Sequence, residues 1–248
     1  MREIRFVMGM PFTLTLADEH ATLESVEKLF TYLTAVDERF STYKDTSEVS
    51  RVNRGECSEA QYSSDLRDVL ATAEHAKKET DGYFNVCRPD GRLDPSGVVK
   101  GWALQKATEL LEADGVTNFM LDGAGDIASA GVSPDGTPWS VGIRNPFNHE
   151  EVVKVLYPKG RGVATSGTAI RGAHIYNPLA PDTALTDIVS VTVVAPDVLM
   201  ADLFATATFA MGKQGITLLE QHPDLEGYAI DKHGTATMTS GFPAYTTP

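Results

Sequence analysis

The sequence predicts an α+β fold, a compact unit of mixed or antiparallel sheets packed with helices. Three observations carry this. Strand-like and helix-like segments mix along the chain without the regular alternation that builds a parallel sheet. Residues 197–212, DVLMADLFATATFAMG, form a helix that is apolar or small around its circumference, and such a helix belongs inside a core. Segments 2–17, 139–157 and 228–239 each read as two strands separated by turn residues. No repeat, low-complexity tract or linker stands out, so residues 1–248 are read as one domain.

Composition narrows the function classes. An apolar fraction of 42% supplies a sizeable core. The net charge of −13 speaks against a nucleic-acid partner or an anionic membrane surface, both of which reward basic faces. It also sets a condition: an acidic chain that binds a phosphate ligand needs a metal or a focused pocket of amides and cations. Cys57 and Cys87 show no metal-ligand spacing and no disulfide framework, which suits a reducing compartment. Arg2, Glu3 and Arg5 interrupt the N-terminus, so it does not read as a signal peptide. No apolar run approaches the roughly 20 residues of a membrane span. A cytoplasmic location is expected, unless Met1 replaced a removed leader.

The elements follow in order. Residues 2–17 read as two strands broken near Gly9 and Pro11. In 21–40, Leu23, Val26, Leu29, Phe30, Leu33 and Val36 recur at helical spacing. A polar loop follows, FSTYKDTSEVSRVNRG, whose Tyr43 either stacks on a planar ligand or pins the loop to the core. Residues 65–80 form a helix ended by Asp81-Gly82, and 83–86 a short strand. The turn 94–97 feeds a helix that runs to about Ala113. With Lys100 placed in it, that turn is either an anion site or a plain junction. Strand 116–121 leads into DGAGDIASAG, where Gly123, Gly125 and Ala128 match G-x-G-x-x-A. A dinucleotide fold requires a helix next. Gly131, Ser133, Pro134 and Gly136 are turn residues instead, so 126–130 is expected to be a strand, which would eliminate a nicotinamide oxidoreductase built there. Gly162 starts another strand, whose following loop gathers Thr165, Ser166, Arg171 and His174.

The buried helix carries the sharpest signal. Asp197 can cap its start and Gly212 its end. Asp202 lies too deep to be a cap, and Thr206 sits on the same face four residues on. Either the two are oxygen ligands for a hard cation such as Mg²⁺, or Asp202 bonds a neighbouring backbone and Thr206 bonds back to its own helix.

The segments FSTYKDTSEVSRVN, TDGYFNV, DPSGVVKGWA, LDGAGDIASAG, WSVGIRNP, VATSG, HIYNP and ADLFATATFAMG together resemble the ApbE family, the FAD:protein FMN transferases, in order and over nearly the whole chain. The resemblance implies an enzyme that binds FAD, cleaves its pyrophosphate with Mg²⁺ and transfers FMN to a Thr or Ser of an acceptor flavoprotein, releasing AMP. It implies metal oxygens from Asp202, Thr206 and the Val99 carbonyl, and His174 as base for the acceptor hydroxyl. Tyr43 falls at the position that packs on the flavin ring, and Lys100, Asp126, Thr165 and Ser166 are further ligand contacts. The alternatives are an Mg²⁺-dependent FAD pyrophosphatase on the same site and a non-catalytic FAD-binding protein. Three positions depart from the family pattern. Asn85 stands where Asp is common, Ala124 replaces a glycine, and Asn177 replaces an Asp ahead of LAPDTALT.

Overall fold

A computed structural model describes residues 1–18, 21–168 and 175–248. Among these the strands are β1 Arg2–Val7, β2 Met10–Leu16, β3 Phe119–Gly123, β4 Asp126–Ala130, β5 Val141–Asn145, β6 Asn148–Leu156, β7 Gly162–Gly167, β8 Ile188–Ala195, β9 Glu226–Asp231 and β10 Ala236–Met238. The helices are α1 Leu23–Phe40, α2 Glu48–Asn53, α3 Ser64–Glu79, α4 Ser96–Ala113, α5 Val198–Met211 and α6 Gly215–Gln221. Eight strands form one sheet in the order β1-β2-β3-β4-β7-β8-β9-β10, each pair of neighbours antiparallel. Strands β5 and β6 are a separate hairpin inserted between β4 and β7.

Side-chain alternation divides the core. On the helical face, Phe12, Leu14 and Leu121 of the sheet meet Leu29, Leu33, Val98 and Leu104 of α1 and α4. Farther along, Val191 and Val193 of β8 meet Phe204 and Phe209 of α5. On the opposite face, Ile127, Val163 and Val194 pack with Ile143 and Leu156 of the hairpin and with Phe242. The inserted hairpin therefore covers part of the second sheet face.

Most expected elements form where local chemistry placed them. Asp197 accepts the Met200 amide at 2.7 Å to cap α5, and Gly212 ends it at φ +68°. Thr22 caps α1 by accepting the Ser25 amide, although Leu23 in the first turn is exposed. Five readings need correction. Thr165 and Ser166 lie on β7, paired with Thr192 and Val191 of β8, and not in the loop that follows it. Residues 83–86 are not a strand, because the Phe84 amide donates to Thr80 Oγ1 at 3.0 Å and closes a turn there. The strand expected at 116–121 is displaced to Phe119–Gly123. The polar loop after α1 contains α2, started by Ser47, whose hydroxyl accepts the Ser50 amide. Helix α4 begins at Ser96, so Lys100 lies on the helix and not in the preceding turn. Strand β4 at 126–130 matches the reading and removes the helix that a dinucleotide fingerprint requires.

Candidate active site

Helices α4 and α5 cross at Gly101. A methyl group there would lie 2.9 Å from Asp202 Cβ and 3.0 Å from Leu199 Cα, so only glycine permits the approach. The contact lets the Gly101 amide donate to Asp202 Oδ2 at 2.9 Å. One residue earlier, Lys100 extends its ammonium to 2.5 Å from Asp126 Oδ2 and 3.8 Å from Asp202 Oδ1. Asp126 is 1% exposed at the start of β4, and Asp202 is 4% exposed. Two buried carboxylates thus share one ammonium. Burial first, then the neighbouring Asp126 charge, pushes the Asp202 carboxyl well above the usual carboxylate range, against the opposing pull of Lys100.

This cluster lies at one wall of a cavity of about 1000 Å³, at the upper end of the roughly 300–1,000 Å³ that ligand pockets span. Lys100, Thr165, Ser166, Asp202 and Thr206 all line it, together with Ser96 and Gly97 at the α4 N-terminus. A Cβ on Gly97 would be 3.8 Å from Thr206 Cγ2, so the first turn of α4 faces Thr206 directly. Asp126 stands just behind the wall, and Val99 is a buried residue of the first turns of α4 outside the lining. Thr165 bonds the Thr192 hydroxyl at 2.8 Å across β7 and β8. Tyr43 is 97% exposed and is not brought to the cavity. His174 and Arg171 lie outside the described residues.

Sequence reasoning missed the opposite wall. The β5–β6 hairpin supplies Arg144, His149 and Val152, and the β3 end supplies Asp122. Asp122 is pushed above its ordinary value, mainly by burial, although it accepts the Gly125 amide. WSVGIRNP was readable as strand and family segment, but nothing in it shows which side chain faces a cavity.

A hard cation fits the donors present. A buried carboxylate with an excess of negative charge beside it faces a hydroxyl on the same helix. Among the described residues no group of three His, Cys, Asp or Glu could hold a metal by itself. That is compatible with Mg²⁺, which uses one or two carboxylates and takes the rest of its shell from other oxygens. Among the same residues no helix is long and apolar enough to cross a membrane.

The ApbE family pattern matches residues 8–88 and 86–229. The chain belongs to the ApbE family. An Escherichia coli relative of this ApbE-family chain, named FAD:protein FMN transferase, is 25% identical over 283 residues, covering 90% of this chain and 81% of its own length. The flavin transferase ApbE structure from Vibrio cholerae superimposes with a TM-score of 0.87 at 21% identity, covering 99% of this chain and 98% of that one. The ApbE protein of Thermotoga maritima gives 0.88 at 19% identity, covering 100% and 99%. Both likenesses establish the ApbE-type mixed helix and antiparallel-sheet fold.

Proposed function

We propose that this chain is an Mg²⁺-dependent FAD:protein FMN transferase. The observation that carries the reading is the buried Asp126–Lys100–Asp202 cluster, with Thr206 beside it, at the wall of a dinucleotide-sized cavity in an ApbE-family chain. Asp202 and Thr206 would hold Mg²⁺, with the Val99 carbonyl as a third oxygen, and the ion supplies neutralisation of charge on the phosphoryl oxygens. Lys100 keeps Asp126 and Asp202 oriented, and the Gly97 amide in the first turn of α4 favours an anion, while the Ser96 amide donates to Asp94 Oδ1 at 3.2 Å. Thr165 and Ser166 offer hydroxyls to the ligand from β7. The acceptor hydroxyl oxygen attacks the phosphorus on the FMN side of the pyrophosphate. Its proton passes to His174, and the bond to the bridging oxygen breaks with its electron pair leaving on AMP. The roles of His174 as base and Tyr43 as flavin contact rest on the family resemblance.

Hydrolysis is the second reading. Asn177 and the residues after it depart from the family pattern beside the candidate base, and water in place of the acceptor hydroxyl would give FMN and AMP. The test is nucleotide chromatography after mixing the protein with FAD, with and without Mg²⁺ and with and without an acceptor flavoprotein carrying a Thr or Ser site. AMP formed only with both, together with covalently bound flavin, is the expected result. AMP and free FMN without acceptor would replace the transferase by a pyrophosphatase. Intact FAD held by the protein in every mixture would leave a binding protein.

A further inference from the structure

The cavity gathers cations that an acidic chain would otherwise scatter, and they are not equivalent. Lys100 is held by Asp126 and Asp202. Arg88 lies 3.5 Å from Asp94 and 3.9 Å from Asp90. Arg144, on the hairpin wall, and Arg2 of β1 make no ion pair and no side-chain hydrogen bond among the described residues, and of the two only Arg144 sits at a strand irregularity. Arg144 is exposed on β5, next to Ile143, which is buried in the core beneath the hairpin. The β5–β6 register shifts on both sides of Arg144: Ile143 pairs with Lys154, Arg144 with Val152 and Asn145 with Asn148. Irregularities of this kind next to sites re-aim a side chain. Arg144, Lys100 and Asp122 all line the same cavity.

We propose that Arg144 grips the pyrophosphate of the dinucleotide from the wall opposite Lys100 and Asp202. The proposal rests on the transferase reading of the cavity. A planar guanidinium with no ion pair or side-chain hydrogen bond among the described residues matches a phosphate by two parallel hydrogen bonds, which an ammonium cannot do. Gripping from this side leaves the opposite face of the phosphate to the α4 N-terminus and to the cation that Asp202 and Thr206 would hold. The ligand class is any nucleotide with a diphosphate, and the nucleoside and the phosphate-free flavin fall outside it.

The test compares Arg144→Gln and Arg144→Lys with the unmodified protein in Mg²⁺, by calorimetric titration with FAD, ADP, adenosine and riboflavin, alongside thermal melting. Arg144→Gln is expected to weaken FAD and ADP roughly 10- to 100-fold, the scale of a charge-assisted hydrogen bond, and to leave adenosine and riboflavin unchanged. Arg144→Lys recovers part of the loss. Unchanged ADP and FAD binding in Arg144→Gln would overturn the proposal, and so would equal weakening of adenosine and ADP, the mark of a merely structural residue. If the unmodified protein binds neither FAD nor ADP, the transferase reading itself fails, a result distinct from both.

Discussion

At Asp202 the penalty for burying a carboxylate is set against the Gly101 amide at 2.9 Å and Lys100 at 3.8 Å. Asparagine keeps the volume and an oxygen for that amide but removes the charge that would hold a cation. Asp202→Asn should therefore fold and lose Mg²⁺-dependent AMP release by roughly 100-fold or more, measured by chromatography. Ala124 is strained for a different reason. It sits at φ +55°, followed by Gly125 at φ +100°, in the two-residue turn joining β3 to β4. Positive φ at both centres is the type I′ pattern, which favours Asn or Gly at the first position. Ala124→Gly should raise stability by about 1 kcal/mol or less, because relief of left-handed strain outweighs the entropy of the freer unfolded chain. Denaturant titration reads this, and a lower midpoint would contradict it.

Elements meet at two points where one residue decides the geometry. Alanine in place of Gly101 gains about 1 kcal/mol of helix propensity. The methyl would strike Leu199 Cα, which is backbone and cannot swing away. Overpacking costs about 1–3 kcal/mol, so the clash wins. Gly101→Ala should lower the melting temperature by several degrees and weaken turnover, because α4 carries Lys100 away from α5. The β9–β10 hairpin depends on Asp231, whose carboxylate accepts the Thr235 and His233 amides at 2.9 and 2.8 Å and the Lys213 ammonium at 3.1 Å. The Thr235 amide above all, against a burial penalty, with help from His233 and Lys213, lowers the carboxyl from 3.8 to about 2. A depressed carboxylate stabilises the fold fully above its unfolded value and loses that contribution as pH falls through the folded one. Asp231→Asn should thus melt earlier than the parent at pH 7, with the gap closing as pH falls from about 4 towards 2. A gap constant with pH would show that ionisation is not its source.

At the scale of the molecule, one cavity joins segments from Arg2 to Thr206. Arg2 of β1, Lys100 of α4, Arg144 of β5 and Thr206 of α5 all border it. A ligand that bridges these walls stabilises the folded state by mass action, about 2.7 kcal/mol at a hundred times its dissociation constant. ADP with Mg²⁺ should raise the melting temperature more than either alone, and Asp202→Asn should abolish the extra rise that the metal gives. Equal shifts with and without Mg²⁺ in the parent would separate nucleotide binding from the metal.

Legible in the linear chain are the α+β class, the buried capped helix around Asp202 and Thr206, the strand after Asp126, and the segments that tie the chain to its family. These rest on local periodicity, on caps and turns a few residues long, and on motif order, all of which survive without tertiary context. The sequence did not place α2 or α6, because short helices take much of their stability from packing that the local pattern does not contain. Which polar groups share a space follows from the folded packing alone. Lys100 turns towards Asp126 and Asp202 because Gly101 lets two helices touch, and Arg144 faces the same cavity because an irregular hairpin stands against the far side of the sheet. Such meetings join residues as far apart in the chain as Lys100 and Asp202, and no local pattern reports them.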